Sequence, residues 1–537
     1  MNSMIFNPLE EYDQKFKKLH EDNTTQFFDA LVQRSGVNPE ENRRTVKEYQ
    51  AFLESLKKLK RKLFWWKVLR VLMCITLILI PLVILKITPK IKKLKEEIEL
   101  ANQKADSLLN QAYTQMAPLN GLFTDRDALQ IIESTISMLS FAPCLSVEQE
   151  SDMRINYDFS DPDDSEQSTT DLLAGSYNEN PFLFENKVRH KMGVETYHGS
   201  LVIRWTETYR DGNGKLQTRT RTQTLHASVT KPKPFYHSQV VLNYCSQGGP
   251  DLSFSRDATH LDEKSEKEIE KYVKKGEKKL KKMTDQAIRK NSDFMSMSNT
   301  DFEVLFDALD RTNEVQFRTL FTPLAQTNMV DLIRSTVGYG DDFHFIKHKR
   351  TNRIITNHSQ GRAVNLRPSD YVSYSFDVIK ESFIGKNTAF FKAVYFDFAP
   401  LWAIPVYQER PVHSLKPLPD HSQLYSFKEY ESLANAVNPS LVVHPNTKTR
   451  AILKSSFVSS HGQADEIRIT AYSYDIIPRI DFIPVLGGDG HIHPVPVPWD
   501  DYIPLETTNT FSVASVDPDA EPLPNVIARR NNLCILN

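Results

Sequence analysis

Only four cysteines occur among 537 residues, too few for a disulfide framework. Glycine is scarce at 18, which excludes a collagen and a system of Gly-rich linkers. An excess of either charge is lacking. The 66 Lys and Arg against 68 Asp and Glu leave a formal balance of −2, so no global field draws the chain to nucleic acid. Long apolar runs are lacking with one exception, which excludes a polytopic membrane protein. The signatures of common enzymes are missing as well. There is no phosphate loop of the Walker type, no HExxH, no GxSxG and no paired CxxC. An NTPase, a zincin, an ordinary serine hydrolase and a zinc ribbon lose weight accordingly. What is present is a folding composition, with 40 % hydrophobic and 25 % charged residues, near the soluble average. At roughly 150 residues per domain the length suits two to four folded units.

The exception is VLMCITLILIPLVIL, residues 71–85, fifteen residues without a charge. Fifteen is short of the roughly 20 needed to cross the hydrocarbon core. Extended back to Leu63, the run reaches 23 residues with Lys67 and Arg70 inside it. Their stems can snorkel to the interface, and Trp65 and Trp66 suit an aromatic belt. This predicts one membrane helix over residues 63–87. Lys57, Lys58, Lys60, Arg61, Lys62, Lys67 and Arg70 precede the run; Lys86, Lys90, Lys92, Lys93, Lys95 and Lys104 follow it. Seven against six leaves the positive-inside rule nearly tied. A long charged arm with nothing before it to export it places the N-terminus in the cytoplasm. A full single-pass span, the favoured expectation, then puts the C-terminal region outside; a re-entrant segment turning near Pro81 keeps both basic flanks inside.

Residues 1–62 read as a helical arm. One helix covers residues 9–34 and stops at Gly36, and Asn38-Pro39 opens the next with a cap and a proline at the first helical position. Val46, Tyr49, Leu53, Leu56 and Leu63 mark its apolar face. Residues 88–118 read as a helical stalk. Ile91, Leu94, Ile98, Ala101, Ala105, Leu108 and Ala112 form a heptad seam, which predicts self-association as a coiled coil.

Residues 119–515 read as one large mixed region. A helix starts at Thr124, with Asp125 and Asp127 in its first turn. Residues 148–180 hold ten acidic residues and one basic residue, Arg154, and predict a mobile surface loop. Residues 195–245 and 450–504 are strand-rich, as is 343–356. Residues 262–290 predict a solvated charged helix with a thin stripe of Ile269, Val273, Leu280, Met283 and Ala287. Thr300 to Glu303 reads as a capping box that opens helices through Arg334, and further helices are predicted at 369–382 and 427–436. KAVYFDFAPLWAIPVY, residues 392–407, contains Lys392 and Asp397 and predicts a buried strand pair. Residues 516–537 read as a polar tail. Helices come first and antiparallel strands follow, so the expected class is α+β.

Three weak constellations carry chemistry. His491 and His493 lie two apart after Gly487-Gly-Asp-Gly490, and with Asp489 can ligate a metal; the bland reading is a glycine turn with exposed imidazoles. Asp158, Asp161, Asp163, Asp164 and Glu166 can gather around calcium, but the glycine and glutamate of an EF-hand loop are missing. Cys245 and His358 are the minimum for a nucleophilic pair, although a buried structural cysteine is commoner. The terminal Cys534-Ile-Leu-Asn537 has a prenylation-like shape with an unsuitable last residue. No catalytic residue, metal or cofactor is expected.

Asp211-Gly-Asn-Gly214 is a strong hairpin signal. With those four residues as the loop, Arg204 faces Arg221, Thr206 faces Arg219 and Arg210 faces Lys215. Five cations then share one strand face, a candidate site for anionic lipid or another polyanion.

The opening NPLEEYDQKF, the basic-flanked apolar run and the stretch VTKPKPFYHSQVVLNYCSQGGPDLSF resemble an uncharacterised membrane-anchored family of mycoplasmas and clostridial relatives. The resemblance covers most of the chain and implies a bacterial host and a membrane location. The leading expectation is a membrane-anchored scaffold or interaction protein of the bacterial envelope. Its rivals are a membrane-anchored hydrolase using the Cys and His residues, and a polyanion-binding module built on the basic hairpin.

Overall fold

The computed structural model describes residues 4–75, 83–160, 166–210, 212, 214–259, 261, 264–290, 296–412, 423–462, 464–515, 526–530 and 533–536. Its helices, in chain order, are α1 (Pro8–Glu11), α2 (Lys17–Ser35), α3 (Pro39–Ile75), α4 (Thr88–Asn120), α5 (Asp127–Thr135) and α6 (Val147–Tyr157). They continue with α7 (Glu266–Lys290), α8 (Thr300–Phe306), α9 (Glu314–Leu320), α10 (Pro323–Arg334), α11 (Phe376–Trp402) and α12 (Phe427–Ala436). The strands are β1 (Leu139–Phe141), β2 (Gln167–Tyr177), β3 (Asn180–Arg210), β4 (Leu216–Cys245), β5 (Ser253–Arg256), β6 (Phe343–His348) and β7 (Thr351–Thr356). A second set comprises β8 (Ile452–His461), β9 (Ala464–Leu486), β10 (Ile492–Ser515), β11 (Val526–Arg530) and β12 (Leu533–Leu536). The class is α+β with antiparallel sheets. The chain divides into a helical unit, residues 10–137 with 365–396, and a sheet unit, residues 1–9, 138–364 and 397–537.

The helical unit follows its sequence signals closely. Gly36 takes the left-handed conformation (φ 66°) that ends α2, a conformation costly for a residue with a Cβ. The Asn38 carboxamide oxygen accepts from the backbone N–H of Glu40 (3.1 Å) and Glu41 (3.3 Å), capping α3. Asp127 accepts from the Thr124 N–H at 3.0 Å ahead of α5. Phe28 and Leu31 of α2 join Met116 and Leu119 of α4, Phe123, Ile131, Tyr371 and Phe383 in one buried core. His20 is buried in the same unit, stacked on Phe391 with ring centroids 4.0 Å apart.

The heptad seam of α4 is filled within the chain. Ile98 and Ala105 pack with Leu56 of α3, against Tyr49, Leu53, Leu59 and Leu63. Ile91 packs with Val83 and Ile87, against Leu63, Trp66 and Met73. The partner expected from a second chain is therefore the helical arm itself.

In the sheet unit, seven strands run in the order β1-β2-β3-β4-β7-β6-β5, and five in the order β11-β12-β10-β9-β8. β3 and β4 are 31 and 30 residues long, about 100 Å of strand each at about 3.3 Å per residue. They pair throughout as one hairpin. The β9–β10 hairpin packs on it through Ile203, Leu225 and Val495. The approach is close because Gly199 has no Cβ; one built there would lie 2.0 Å from the Pro496 carbonyl oxygen.

α12 is a short helix with charged residues on buried faces. Lys428 Nζ lies 2.6 Å from Glu185 of β3, both side chains essentially sealed from solvent. Glu429 accepts from the Leu145 N–H, and Glu431 from the Thr169 N–H, each at 2.9 Å. Glu431 also pairs with Lys454 of β8 at 2.7 Å. Ionic contacts thus tie α12 to elements of both sheets.

Several expectations are corrected here. The acidic stretch 148–180 is largely ordered secondary structure. Ser146 and Gln149 form a reciprocal capping box for α6, and Leu172, Leu173 and Ala174 put β2 into the core. Its charge count concealed a buried strand; residues 161–165 lie outside the described residues. Residues 392–402 are helical and belong to α11, which starts at Phe376, later than the helix expected from 369. Burial of Phe391, Tyr395, Phe398, Ala399 and Trp402 removes the periodicity that separates a helix from a strand. The capping residue before α8 is Asn299, whose side chain accepts from Phe302 N–H. The C-terminal residues are not simply a polar tail: Leu533, Cys534 and Ile535 are buried in β12, while 516–525 lie outside the described residues.

Candidate membrane-facing site

α3 and α4 run antiparallel from a polar base to an apolar end. At the base, the buried Asn42 amide donates to the Tyr374 carbonyl at 3.0 Å and accepts from the Phe376 N–H at 2.9 Å. Gln115 of α4 donates to Thr45 Oγ1 at 3.1 Å. Further out, Lys104 Nζ sits 5.4 Å from the Phe52 ring, and Lys90 Nζ sits 4.7 Å from the Trp66 ring. These pairs set the register and bring the two apolar flanks to the same end.

That end exposes Phe64, Trp65, Leu69, Val71 and Leu72 from α3, and Leu85, which is 76 % exposed. The uncharged residues 76–82 lie outside the described residues. Between residues 55 and 95 the sequence has no Asp or Glu, while Lys57, Lys58, Lys60, Arg61, Lys62, Lys67, Arg70, Lys86, Lys90, Lys92, Lys93 and Lys95 fall in it. All twelve cations are exposed. Among the described residues, no helix is long and apolar enough to cross a membrane.

The structure scatters the other candidates. In the β3–β4 hairpin the register is one residue away from that expected: Arg210 faces Leu216, Glu207 faces Arg219 and Trp205 faces Arg221. The loop holds five residues, 211–215, and a one-residue slip exchanges faces. Arg221 and Arg219 consequently pair with Glu207 at 2.6 and 3.4 Å, and these guanidinium groups, Arg221 foremost, hold its carboxyl below the usual range. Arg204, opposite Thr222, and Arg210 lie on the other face, and Lys215 is in the loop. The five cations do not form one surface.

Cys245 is fully buried among Leu145, Met153, Tyr157 and Leu172, and burial pushes its thiol up, away from nucleophilic ionisation. His358 Nδ1 meets Asp342 at 2.5 Å, its Nε2 lies 3.3 Å from Asp397, and its ring stacks on Tyr339. His493 pairs with Asp489 at 2.9 Å, while Asp489 accepts from the His491 N–H at 3.1 Å. These three groups have separate sets of partners. Asp158 pairs with Arg350 at 2.8 Å and Glu166 with His190; Asp161, Asp163 and Asp164 lie outside the described residues. No group of three or more metal-ligating residues occurs among the described residues.

Sequence reasoning missed one cavity of about 490 Å³, lined by Glu166, His190, Tyr236, Tyr474 and Glu506. His190 Nδ1 faces Glu166 and its Nε2 lies 3.5 Å from the Tyr474 hydroxyl. The strands that contribute these groups are distant in the chain, and no local spacing marks them. Comparison with known proteins adds no relative: no family model, curated protein or solved structure matches this chain.

Proposed function

We propose that the chain is a membrane-anchored interaction protein of the bacterial envelope. The observation that carries this reading is the apolar end of the α3–α4 hairpin, flanked on both arms by cations with no acid among them. Apolar side chains enter the hydrocarbon while Lys and Arg meet the headgroups. Helices suit this because their backbone groups are satisfied internally. The resemblance to membrane-anchored bacterial proteins points the same way.

A second observation supports interaction rather than catalysis. On one face of the β9–β10 hairpin, Ile480 pairs across from Pro498, Phe482 from Pro496, Pro484 from Pro494 and Leu486 from Ile492. Phe482, Leu486 and Ile492 are each more than 60 % exposed. A continuous uncharged face of this kind marks a contact surface for protein.

The anchor is tested by cell fractionation. The wild type is expected in the membrane pellet after alkaline extraction. A chain with Val71→Arg, Leu72→Arg and Leu85→Arg, all at exposed positions, is expected in the soluble fraction with unchanged helix content. An arginine costs about 3 kcal/mol at the bilayer centre and less toward its edge, and three together should shift the chain toward the soluble fraction. Wild type that is itself extracted into the soluble fraction would refute the reading.

A further inference from the structure

The fold bears on which compartment each part of the chain occupies. Resting on the membrane reading above, we propose that the α3–α4 hairpin enters and leaves the bilayer on one face, seated in a leaflet containing anionic phospholipid. Residues 10–75 and 83–137 then share a compartment, in place of the single-pass arrangement expected from the sequence.

Three observations converge on this. The first is the shared core. Phe28 and Leu31, before the apolar run, pack with Met116, Leu119, Phe123 and Ile131, after it. His20 Nδ1 lies 3.3 Å from Thr135 Oγ1, again across the run. A membrane-spanning helix between them would divide one core between two compartments, and its apolar faces would lose their partners.

The second is the level at which the two arms meet. Met73 packs against the cluster of Val83, Ile87 and Ile91, so the chain leaves and rejoins the hairpin at one place. Residues 73 and 83, on either side of the uncharged residues 76–82, therefore lie at one level of the hairpin, instead of at opposite faces of a hydrocarbon core of about 30 Å.

The third is the placement of charge. The contacts Phe52–Lys104 and Trp66–Lys90 define a register in which residues whose numbers add to about 156 lie level. Arg61 of α3 is therefore level with Lys95 of α4, and Arg70 with Lys86. In a single span, the two basic flanks would lie at opposite membrane faces. Here the two flanks run side by side along the arms below the apolar end, where the headgroups of one anionic leaflet meet both.

Two measurements test this on the full chain. In the first, the purified protein is mixed with phosphatidylcholine vesicles with or without added phosphatidylglycerol. Binding is expected only with the anionic lipid. Lys60→Gln, Lys62→Gln, Lys92→Gln and Lys93→Gln together should weaken it by about a hundredfold or more, at about fivefold per cation, with the circular dichroism spectrum unchanged. Equal binding to both vesicles, or no effect of the four substitutions, overturns the seat in an anionic leaflet.

In the second, exposed positions Lys18 and Ser107 are changed singly to cysteine in a Cys74→Ser background and probed with a membrane-impermeant maleimide on intact and opened cells. Both are expected to react from the same side. Reaction from opposite sides overturns the one-face topology while leaving the membrane reading intact. A chain found with neither cell membranes nor vesicles defeats the membrane reading, and the inference with it.

Discussion

The α3–α4 hairpin and the β9–β10 hairpin both carry apolar residues to exposed positions, yet they finish their backbones differently. A helical pair has no free edge. A two-stranded ribbon has two, and neither can lie in hydrocarbon with backbone groups unsatisfied. The β9–β10 ribbon also has Pro484 opposite Pro494. Neither residue has an N–H, so this is a non-hydrogen-bonded pair, and residues of the same parity point their N–H groups outward. Pro478, Pro496, Pro498 and Pro504 share that parity. The prolines remove outward donors from both edges and disfavour the addition of further strands. What remains is a side-chain face, suited to a protein surface. On the reading proposed above, the helical pair with its cations is the part that meets lipid.

The units behind these hairpins differ too. The helical unit is held by aromatic and aliphatic packing around a neutral imidazole; the sheet unit seals ion pairs into its interior. The largest expected effect breaks the second pattern. Lys428→Met leaves Glu185 buried without its closest cation and should cost about 3–5 kcal/mol. The double variant with Glu185→Leu should recover most of that loss, since an apolar pair replaces an ionic one. Urea denaturation measures both; a loss below about 1 kcal/mol for the single variant would mean that Lys187, 3.2 Å from Glu185, compensates.

The next effect belongs to the helical unit. Burial lowers the His20 pKa to about 4, partly offset by its bond to the Asn387 carbonyl. Above pH 6.5 the imidazole is neutral folded or unfolded, and acidity has no effect through it. As pH falls from 6.5 to 4 the unfolded chain takes up the proton first, so stability is lost progressively, by about 3 kcal/mol at the lower end. The difference between wild type and His20→Gln in denaturant titrations should change over that window and be flat above it.

The smallest effect sharpens the register. Arg219→Gln with Arg221→Gln removes two exposed partners of Glu207 and should leave the urea midpoint close to that of the wild type, since solvent screens exposed pairs. Disulfide crosslinking distinguishes the pairings: cysteines at Glu207 and Arg219 should lie directly opposite, whereas Thr206 and Arg219 should not.

Legibility followed the range of the forces involved. Gly36, Asn38-Pro39 and Thr124 act within one helical turn, so α2, α3 and the start of α5 were readable. The strands of residues 195–245 were readable as strands, but their register depended on whether the 211–215 loop held four or five residues, and one residue moved every cation to a different neighbour. The heptad of α4 showed that a seam existed and was silent about its partner. Lys392 and Asp397 argued against a membrane span, but uniform burial hid the helix. The Glu166–His190 cavity had no local signature at all.

The sequence alone determined the α+β class, the caps and turns that divide its helices, and the uncharged run with cations on both sides, because each depends on residues close together in the chain. Tertiary structure decided that the two basic flanks run side by side, that the α4 seam closes on α3, that Arg219 and Arg221 share Glu207, and that Lys428 finds Glu185. Those outcomes depend on which distant surfaces exclude water together, and a one-residue change in register or one reversal of chain direction alters them without changing any local propensity.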